Sequence, residues 1–244
     1  MDHAAAAAFL LAARADGPGG PLPPALRPAT AQDAIAIQRL TFEALGPIGG
    51  WKVGAAGPEA PPSAAPMPAS GIYRAPARLP GAAFTTRDIE SEIAFVLGRD
   101  LPPRETPYTR AEAVHAIASC HPGIEILQSR FAAPPDALSL LADLLRHGAY
   151  VLGAEINDWH GIDFATVEAR QTIAGKVTSH IGNPAGDMIR LLLWLANEGA
   201  VWAGGLLAGQ IITTGSWTGA TPAPPQSQVR TEFVGLGALE LRFT

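Results

Sequence analysis

Hydrophobic and polar positions change period along the chain, from a helical repeat at the start to strand-like alternation later. Residues 4–15 are largely apolar and predict a first helix, which a proline- and glycine-rich stretch follows. A second helix is predicted after Thr30, a candidate N-cap with Asp33 three residues further on, and it ends before Gly46. The pattern therefore predicts a small N-terminal helical segment over residues 1–49.

Residues 50–244 predict a second, larger unit in which strands alternate with single helices. The segments predicted as strands are 50–55, 89–97, 121–129, 149–156 and 209–216, with at least one more in 231–243. The segments predicted as helices are 109–119, 138–147 and a stretch that Asn183-Pro184 caps and that runs to Gly199. Residues 56–71 are predicted to form a long Pro/Ala loop. The fold class is α+β, dominated by a curved, largely β core.

The composition limits the partners that the chain can have. Charged residues make up 16% and hydrophobic residues 48%, so apolar surface must be hidden in a core or against another copy, and we expect a homo-oligomer. A net charge of −5 without a basic stripe argues against nucleic acid. The longest apolar stretch is interrupted by Asn197 and Glu198, so no membrane span is expected. The single Cys120 is compatible with a reducing compartment, and we expect a cytoplasmic protein.

Two acids stand at the start of the strand predicted over residues 89–97. Side chains alternate along a strand, so Glu90 and Glu92 project from the same face, about 6–7 Å apart at Cα. The residues that follow are continuously apolar, and two acids in such a strand are costly unless a cation compensates them. Glu125, the only charge in a second buried strand, is the candidate third ligand of a hard divalent ion. Alternatively, Glu90 and Glu92 are exposed and pair with nearby arginines.

A series of segments resembles the hydratase branch of the fumarylacetoacetate hydrolase superfamily, the 2-keto-4-pentenoate hydratases and 4-oxalocrotonate decarboxylases. The segments are GGWKVGA, IESEIAFVLGRDL, PGIEILQSRF, AYVLGAEI, IGNPAGDMIRLLLWLANEG, LAGQIITTGS and EFVGLGALELRF, in this order. The resemblance implies a mixed β-roll with Mg²⁺ or Mn²⁺ on Glu90, Glu92 and Glu125. It also implies that Lys52, in the G-x-K-x-G segment, lies in the active site and orients substrate or water. From the residues alone, Lys52 could equally cover apolar surface and reach solvent.

Two positions depart from the resembled family. An acid that hydratases place before a glycine is absent, because this chain has Ala69 in Pro68-Ala69-Ser70-Gly71. The family's Asp-Asn-Ala-Ser segment becomes Asp143 followed by Leu144–Arg146. Arg130 matches the family's S-R segment, and we predict that it forms a structural ion pair.

Three functions remain open at this point. The first is a lyase that hydrates a 2-hydroxy-2,4-dienoate, through its 2-oxo-enoate tautomer, in aromatic-compound catabolism. The second is decarboxylation of a 2-oxo-3-enedioate, for which the extra cation Arg146 is a weak hint. The third is a catalytically impaired partner subunit, which the departures favour and the intact acids disfavour. In the first two, the partner is a small 2-oxo or 2-hydroxy acid held by the metal.

Overall fold

The computed structural model describes residues 1–244, which form a large mixed sheet, a second, smaller sheet and short helices packed around them. The helices are α1 (His3–Asp16), α2 (Ala31–Glu43), α3 (Arg110–Ala116), α4 (Ala137–Ala142) and α5 (Met188–Trp194). The first seven strands are β1 (Ile48–Gly54), β2 (Ser63–Pro68), β3 (Ile72–Arg74), β4 (Ala77–Leu79), β5 (Asp88–Leu97), β6 (Ile117–Leu127) and β7 (His147–Leu152). The remaining strands are β8 (Glu168–Ile173), β9 (Lys176–Ile181), β10 (Ile211–Ser216), β11 (Thr221–Pro222), β12 (Gln228–Phe233) and β13 (Gly237–Phe243).

The two sheets have mixed strand directions. The larger sheet follows the order β2-β1-β10-β5-β6-β7-β3, with the short β11 also paired to β5. The smaller sheet follows the order β4-β13-β12-β8-β9. The long antiparallel pair β5–β6 is central to the larger sheet, so its side chains are covered on both faces, which explains its continuous apolar run. The α+β class is as predicted.

Alternation along β5 and β6 separates the apolar core from the acids. Ile89, Ile124 and Ile126 pack in one cluster with residues of the smaller sheet, such as Val229 and Leu241. Residues one position along the same strands point to the opposite face. The carboxylates of the large sheet therefore face away from the contact between the sheets.

The N-terminal helices lie over the edge of the larger sheet that β2 forms. Capping boxes open α2 at Thr30, the predicted N-cap, and α3 at Thr109, the first residue of the helix predicted over 109–119. Phe42 of α2 packs on Leu144 and Ala65, and the three side chains form a small buried cluster. The N-terminal helices thus support the turn that begins at Asp143.

Four predictions of local structure are wrong. The helix predicted over 109–119 ends at Ala116, because the chain continues from Ile117 as strand β6. The proposed loop over residues 56–71 contains β2, because Ser63–Pro68 pairs with β1. The helix predicted over 138–147 ends at Ala142, where the chain enters a left-handed turn. The helix expected to start at Asn183 is capped by Asp187 instead, because Gly186 has a φ of 76° and breaks the helical path.

The hairpin β8–β9 and the short strands β3, β4 and β11 were not predicted. Residues 168–181 form the hairpin β8–β9, whose turn contains Gly175 with a φ of 84°. Its outer strand is polar and mostly exposed, so it lacks the apolar alternation that marks a half-buried strand.

No helix in the structure combines the length and the apolarity needed to cross a bilayer.

Candidate metal centre

Strand register brings three carboxylates to one face of the large sheet. Glu90 of β5 lies directly opposite Glu125 of β6, and directly opposed residues project from the same face. Glu92 follows two residues along β5 and shares that face. One potential ligand oxygen from each of the three residues lies within 4.8 Å of the others. The acids that the sequence analysis selected are therefore brought together.

The unpaired oxygens of this cluster fit a hard cation. Glu92 and Glu125 are buried, and in each the Oε2 atom is shielded from solvent without a hydrogen-bond partner. An ionised carboxylate oxygen left in this state costs several kcal/mol. A divalent ion bound among the three carboxylates would compensate these oxygens, and Mg²⁺-like ions prefer such oxygen donors. The cluster could hold one divalent cation.

Lys52 reaches the cluster from β1. It pairs with Thr213 of β10, which in turn pairs with Ala94 of β5, so all three side chains belong to the face that carries Glu92. Its Nζ lies 2.9 Å from Oε1 of Glu125 and donates to the carbonyl oxygen of Leu145 at 3.1 Å. The side chain is only 13% exposed. The alternative in which Lys52 reaches solvent is wrong in this structure.

One residue of the site was missed by the sequence analysis. His147, the first residue of β7, is fully buried and its Nδ1 lies 2.9 Å from Oε1 of Glu125. Oε1 therefore accepts from both Lys52 and His147, while Oε2 has no partner. His147 was predicted as the last residue of the helix 138–147, two residues before the predicted strand, so its face could not be derived from alternation.

The pKa values of the three acids are shifted in different directions. Burial works to raise the pKa of Glu125, but the charge of Lys52 and the bond from His147 outweigh it and hold that pKa below its usual value. Burial raises the pKa of Glu90 to about 7, against the attraction of Lys52. Burial and the neighbouring carboxylates raise the pKa of Glu92 well above its usual value. Burial works to lower the pKa of Lys52, but the three acids raise it, so the ammonium stays charged.

Cation binding should therefore depend on pH around neutrality. Glu90 and Glu92 have raised pKa values, so without a cation they retain protons that a metal must displace. We expect the affinity for Mg²⁺ to rise as the pH increases from about 6 to 8, by up to about tenfold per pH unit for each proton released. Titration calorimetry in buffers of different ionisation enthalpy would count these protons. Affinity that does not change with pH would contradict the assignment.

A left-handed turn forms one wall of the site. Leu144, Leu145 and Arg146 have φ values of 52°, 49° and 64°, in a region that costs non-glycine residues roughly 1–2 kcal/mol each. Such strain persists only where the surroundings enforce it. Arg130 donates to the carbonyl oxygens of Asp143 and His147 at 2.7 and 2.9 Å, on either side of the turn. The turn presents the carbonyl oxygen of Leu145 to Lys52.

A cavity of about 290 Å³ opens beside Lys52, Glu90 and Glu92. The other residues that line it include Val53, Ala55, Ser63, Leu145 and Ser216. The volume suits a small organic acid, and Lys52 is the one cationic residue among the lining residues. A larger cavity of about 490 Å³ lies on the opposite face of β5, lined by Phe95 and Trp159, but it contains no group of metal-binding residues.

The remaining candidates have structural roles. Arg130 and Asp143 form a buried ion pair, as the sequence analysis predicts for Arg130. Arg146 pairs with Asp88 and is absent from the walls of the cavity beside Lys52. The buried Cys120 has a thiol whose pKa burial raises to about 12, which suits an inert core residue.

The fold and the site together define a mixed β-roll with a carboxylate cluster that could hold a metal ion. The profile of the fumarylacetoacetate (FAA) hydrolase C-terminal family matches residues 45–244. The chain belongs to this family, as its motifs suggested.

Comparisons with individual proteins agree with this assignment. A 4-oxalocrotonate decarboxylase from Pseudomonas sp. is 30% identical over 161 residues, which cover 64% of this chain and 60% of the relative. A 2-keto-4-pentenoate hydratase from Paraburkholderia xenovorans (strain LB400) is 28% identical over 158 residues, or 64% of this chain and 58% of the relative. The matched segments thus span about 60% of the length of these curated relatives.

A solved structure supports the fold over almost the whole chain. The 4-oxalocrotonate decarboxylase from Pseudomonas putida G7, complexed with magnesium and adipate, superposes with a TM-score of 0.87 at 22% identity. The match covers 99% of this chain and 97% of that one. The predicted fumarylacetoacetate-hydrolase-like fold with small N-terminal helices is confirmed.

Proposed function

We propose that this chain is a divalent-metal-dependent lyase that adds water to a 2-hydroxy-2,4-dienoate, through its 2-oxo-enoate tautomer. The observation that carries the proposal is the convergence of Glu90, Glu92 and Glu125 within 4.8 Å, beside a cavity for a small acid. The relatives support the substrate class, because they are named as 2-keto-4-pentenoate hydratases and 4-oxalocrotonate decarboxylase. The family resemblance also implies a place in the catabolism of aromatic compounds.

Glu90, Glu92 and Glu125 would hold Mg²⁺ or Mn²⁺. Both ions accept oxygen ligands and keep positions open for water and substrate. When bound, the ion supplies a Lewis acid for the carboxylate and the 2-oxygen of the substrate. The solved decarboxylase from Pseudomonas putida G7 is complexed with magnesium, which supports Mg²⁺ as the first ion to test.

The protein residues around the ion have separate roles in this proposal. Lys52 stays protonated and donates from its Nζ, so it can stabilise negative charge that develops on an enolate oxygen or orient the attacking water. Apolar lining residues, among them Leu145, restrict water in the cavity to the positions that polar groups hold. Ser63 and Ser216 offer hydroxyl groups to the substrate or to water.

The cavity favours hydration over decarboxylation of an enedioate. A dicarboxylate would need a second cation for its distal carboxylate, and Lys52 is the only cationic residue in the cavity walls. Arg146, the cation that the sequence suggested for this purpose, is occupied by Asp88. Decarboxylation stays as the second candidate because two relatives carry that name.

Spectroscopy on the purified protein with Mg²⁺ tests the proposal. A 2-hydroxy-2,4-dienoate should lose its conjugated ultraviolet absorbance, without release of carbon dioxide. Release of carbon dioxide from a 2-oxo-3-enedioate would instead support the decarboxylase. Glu92→Gln should suppress either reaction and recover in part at high Mn²⁺, because it weakens metal binding first. A parent that is silent with both substrates would favour the third hypothesis, a partner subunit for an active homologue.

The organisation of the chain is also part of the proposal. Residues 1–49 would serve as a helical support and residues 50–244 as the catalytic domain. The chain would form homo-oligomers in the cytoplasm. The edge strand β9 supports such association, because Val177 and Ile181 are 59% and 73% exposed there.

A further inference from the structure

The ring of His147 forms a hydrogen bond with the carboxylate of Glu125 and with no other side chain. Its Nδ1 lies 2.9 Å from Oε1 of Glu125, and its Nε2 is buried without a hydrogen-bond partner. An ionised carboxylate only accepts hydrogen bonds, so Nδ1 carries the hydrogen and donates it. An imidazole with one paired donor and one bare acceptor is the neutral form. The ring therefore acts on Glu125 through a single directed bond.

A β-bulge turns His147 towards Glu125. Glu125 pairs with Tyr150, whereas Leu127, two residues along β6, pairs with His147, so β7 contains one residue more than β6 between these pairs. Residues three apart in a regular strand point to opposite faces, which would direct His147 away from the side of Tyr150 and Glu125. The extra residue restores His147 to the face of the acids.

Gly148 makes this bulge possible. A Cβ atom added at Gly148 would lie 2.7 Å from the carbonyl oxygen of Ile126 and 3.0 Å from Cβ of Gln128. A larger residue would push β7 away from β6 at the point where the bulge directs His147. Bulges beside functional sites commonly redirect one side chain in this way.

We propose that His147 is a positioning residue for metal binding, which holds Oε1 of Glu125 so that Oε2 faces the ion. Lys52 donates to the same Oε1, and both donors leave Oε2 without a partner. Two donors on one oxygen fix the plane of the carboxylate, so less conformational freedom is lost when the ion binds. The inference rests on the proposed use of Glu125 as a metal ligand.

Two substitutions at position 147 separate hydrogen bonding from packing. His147→Asn keeps a nitrogen donor on the atom bonded to Cγ, where Nδ1 lies in histidine. His147→Leu has nearly the shape of asparagine and has no donor. We expect His147→Leu to weaken Mg²⁺ binding about 10–100-fold, the usual effect of losing a partner that orients a ligand. His147→Asn should recover most of the affinity. Titration calorimetry with Mg²⁺ and no substrate measures both.

A second buried histidine provides the control. His121 lies on β6 with Glu125, but it bonds to Ser119 and to the carbonyl oxygen of Gly153. His121→Leu should lower the unfolding temperature without changing Mg²⁺ affinity. Equal affinity in His147→Leu and the parent would overturn the inference, as would equal weakening in the Leu and Asn variants. If His147→Leu does not fold, a folded His147→Asn variant that has lost affinity also overturns it. A parent that binds no Mg²⁺ would overturn the proposed function and this inference together.

Discussion

Lys52→Met is expected to lower turnover by about 10²–10⁴-fold, the usual contribution of one positioned polar group to catalysis. Methionine keeps the length of the side chain and removes the charge that Nζ places 2.9 Å from Glu125. The fold should persist, because the bound cation compensates the acids that Lys52 otherwise neutralises. Steady-state rates with a 2-hydroxy-2,4-dienoate, together with circular dichroism and Mg²⁺ titration, would check each part of this expectation.

The chain contains a matched control for this substitution. Lys176, the only other lysine, is exposed at the start of β9 in the hairpin. Lys176→Met removes the same charge and should leave turnover near that of the parent. If Lys52→Met turned over substrate at the parental rate, the role of Lys52 would be structural, through its bonds to Glu125 and to Leu145.

Local sequence patterns identify the three acids but do not predict the residues that surround them. Glu90 and Glu92 share a face because strands have a period of two, and Glu125 stands out as the one charge in an apolar strand. The three carboxylates come together through the register of β5 and β6. The sequence does not reveal that register, so the grouping was inferred from the family resemblance. The assignment of Lys52 to the site was likewise inferred from its motif. Lys52 reaches Glu125 across β10, which lies more than 150 residues later in the chain.

The parts that sequence reasoning missed are places where the backbone departs from regular geometry. Alternation alone would direct His147 to the wrong face, because it does not reveal the bulge at Gly148. The run from Leu144 to Arg146 has the composition of a helix, but its φ values are positive. Contacts distant in sequence enforce that conformation, above all those from Arg130. Propensity scales describe the average residue and cannot anticipate such tertiary control.

Asp143→Asn is expected to destabilise the protein by about 3–5 kcal/mol, the usual cost of leaving one member of a buried ion pair without its partner. Asp143 and Arg130 are 2% and 1% exposed, so solvent cannot replace the lost charge. The carboxylate also accepts from the backbone amide of Arg130 at 3.2 Å, where an asparagine amide would present a second donor. This substitution would have little effect on activity if the turn after Asp143 lay outside the active site. Leu145 of that turn lies in the cavity wall, so activity should change as well.

Denaturant unfolding of Asp143→Asn, Arg130→Met and the double variant would measure the coupling directly. The double variant should be more stable than the sum of the two single losses predicts, because it leaves no unpaired charge in the interior. Asp16→Asn, at an exposed aspartate that ends α1, should stay within about 0.5 kcal/mol of the parent. Additive losses would show that Arg130 holds the turn through its bonds to carbonyl oxygens alone. Asp143 anchors the backbone through which Leu145 binds Lys52, so a change in the left-handed turn should also reach the metal site. If Asp143→Asn lowers the free energy of unfolding but leaves Mg²⁺ binding unchanged, the stability of the fold is separate from the geometry of that turn.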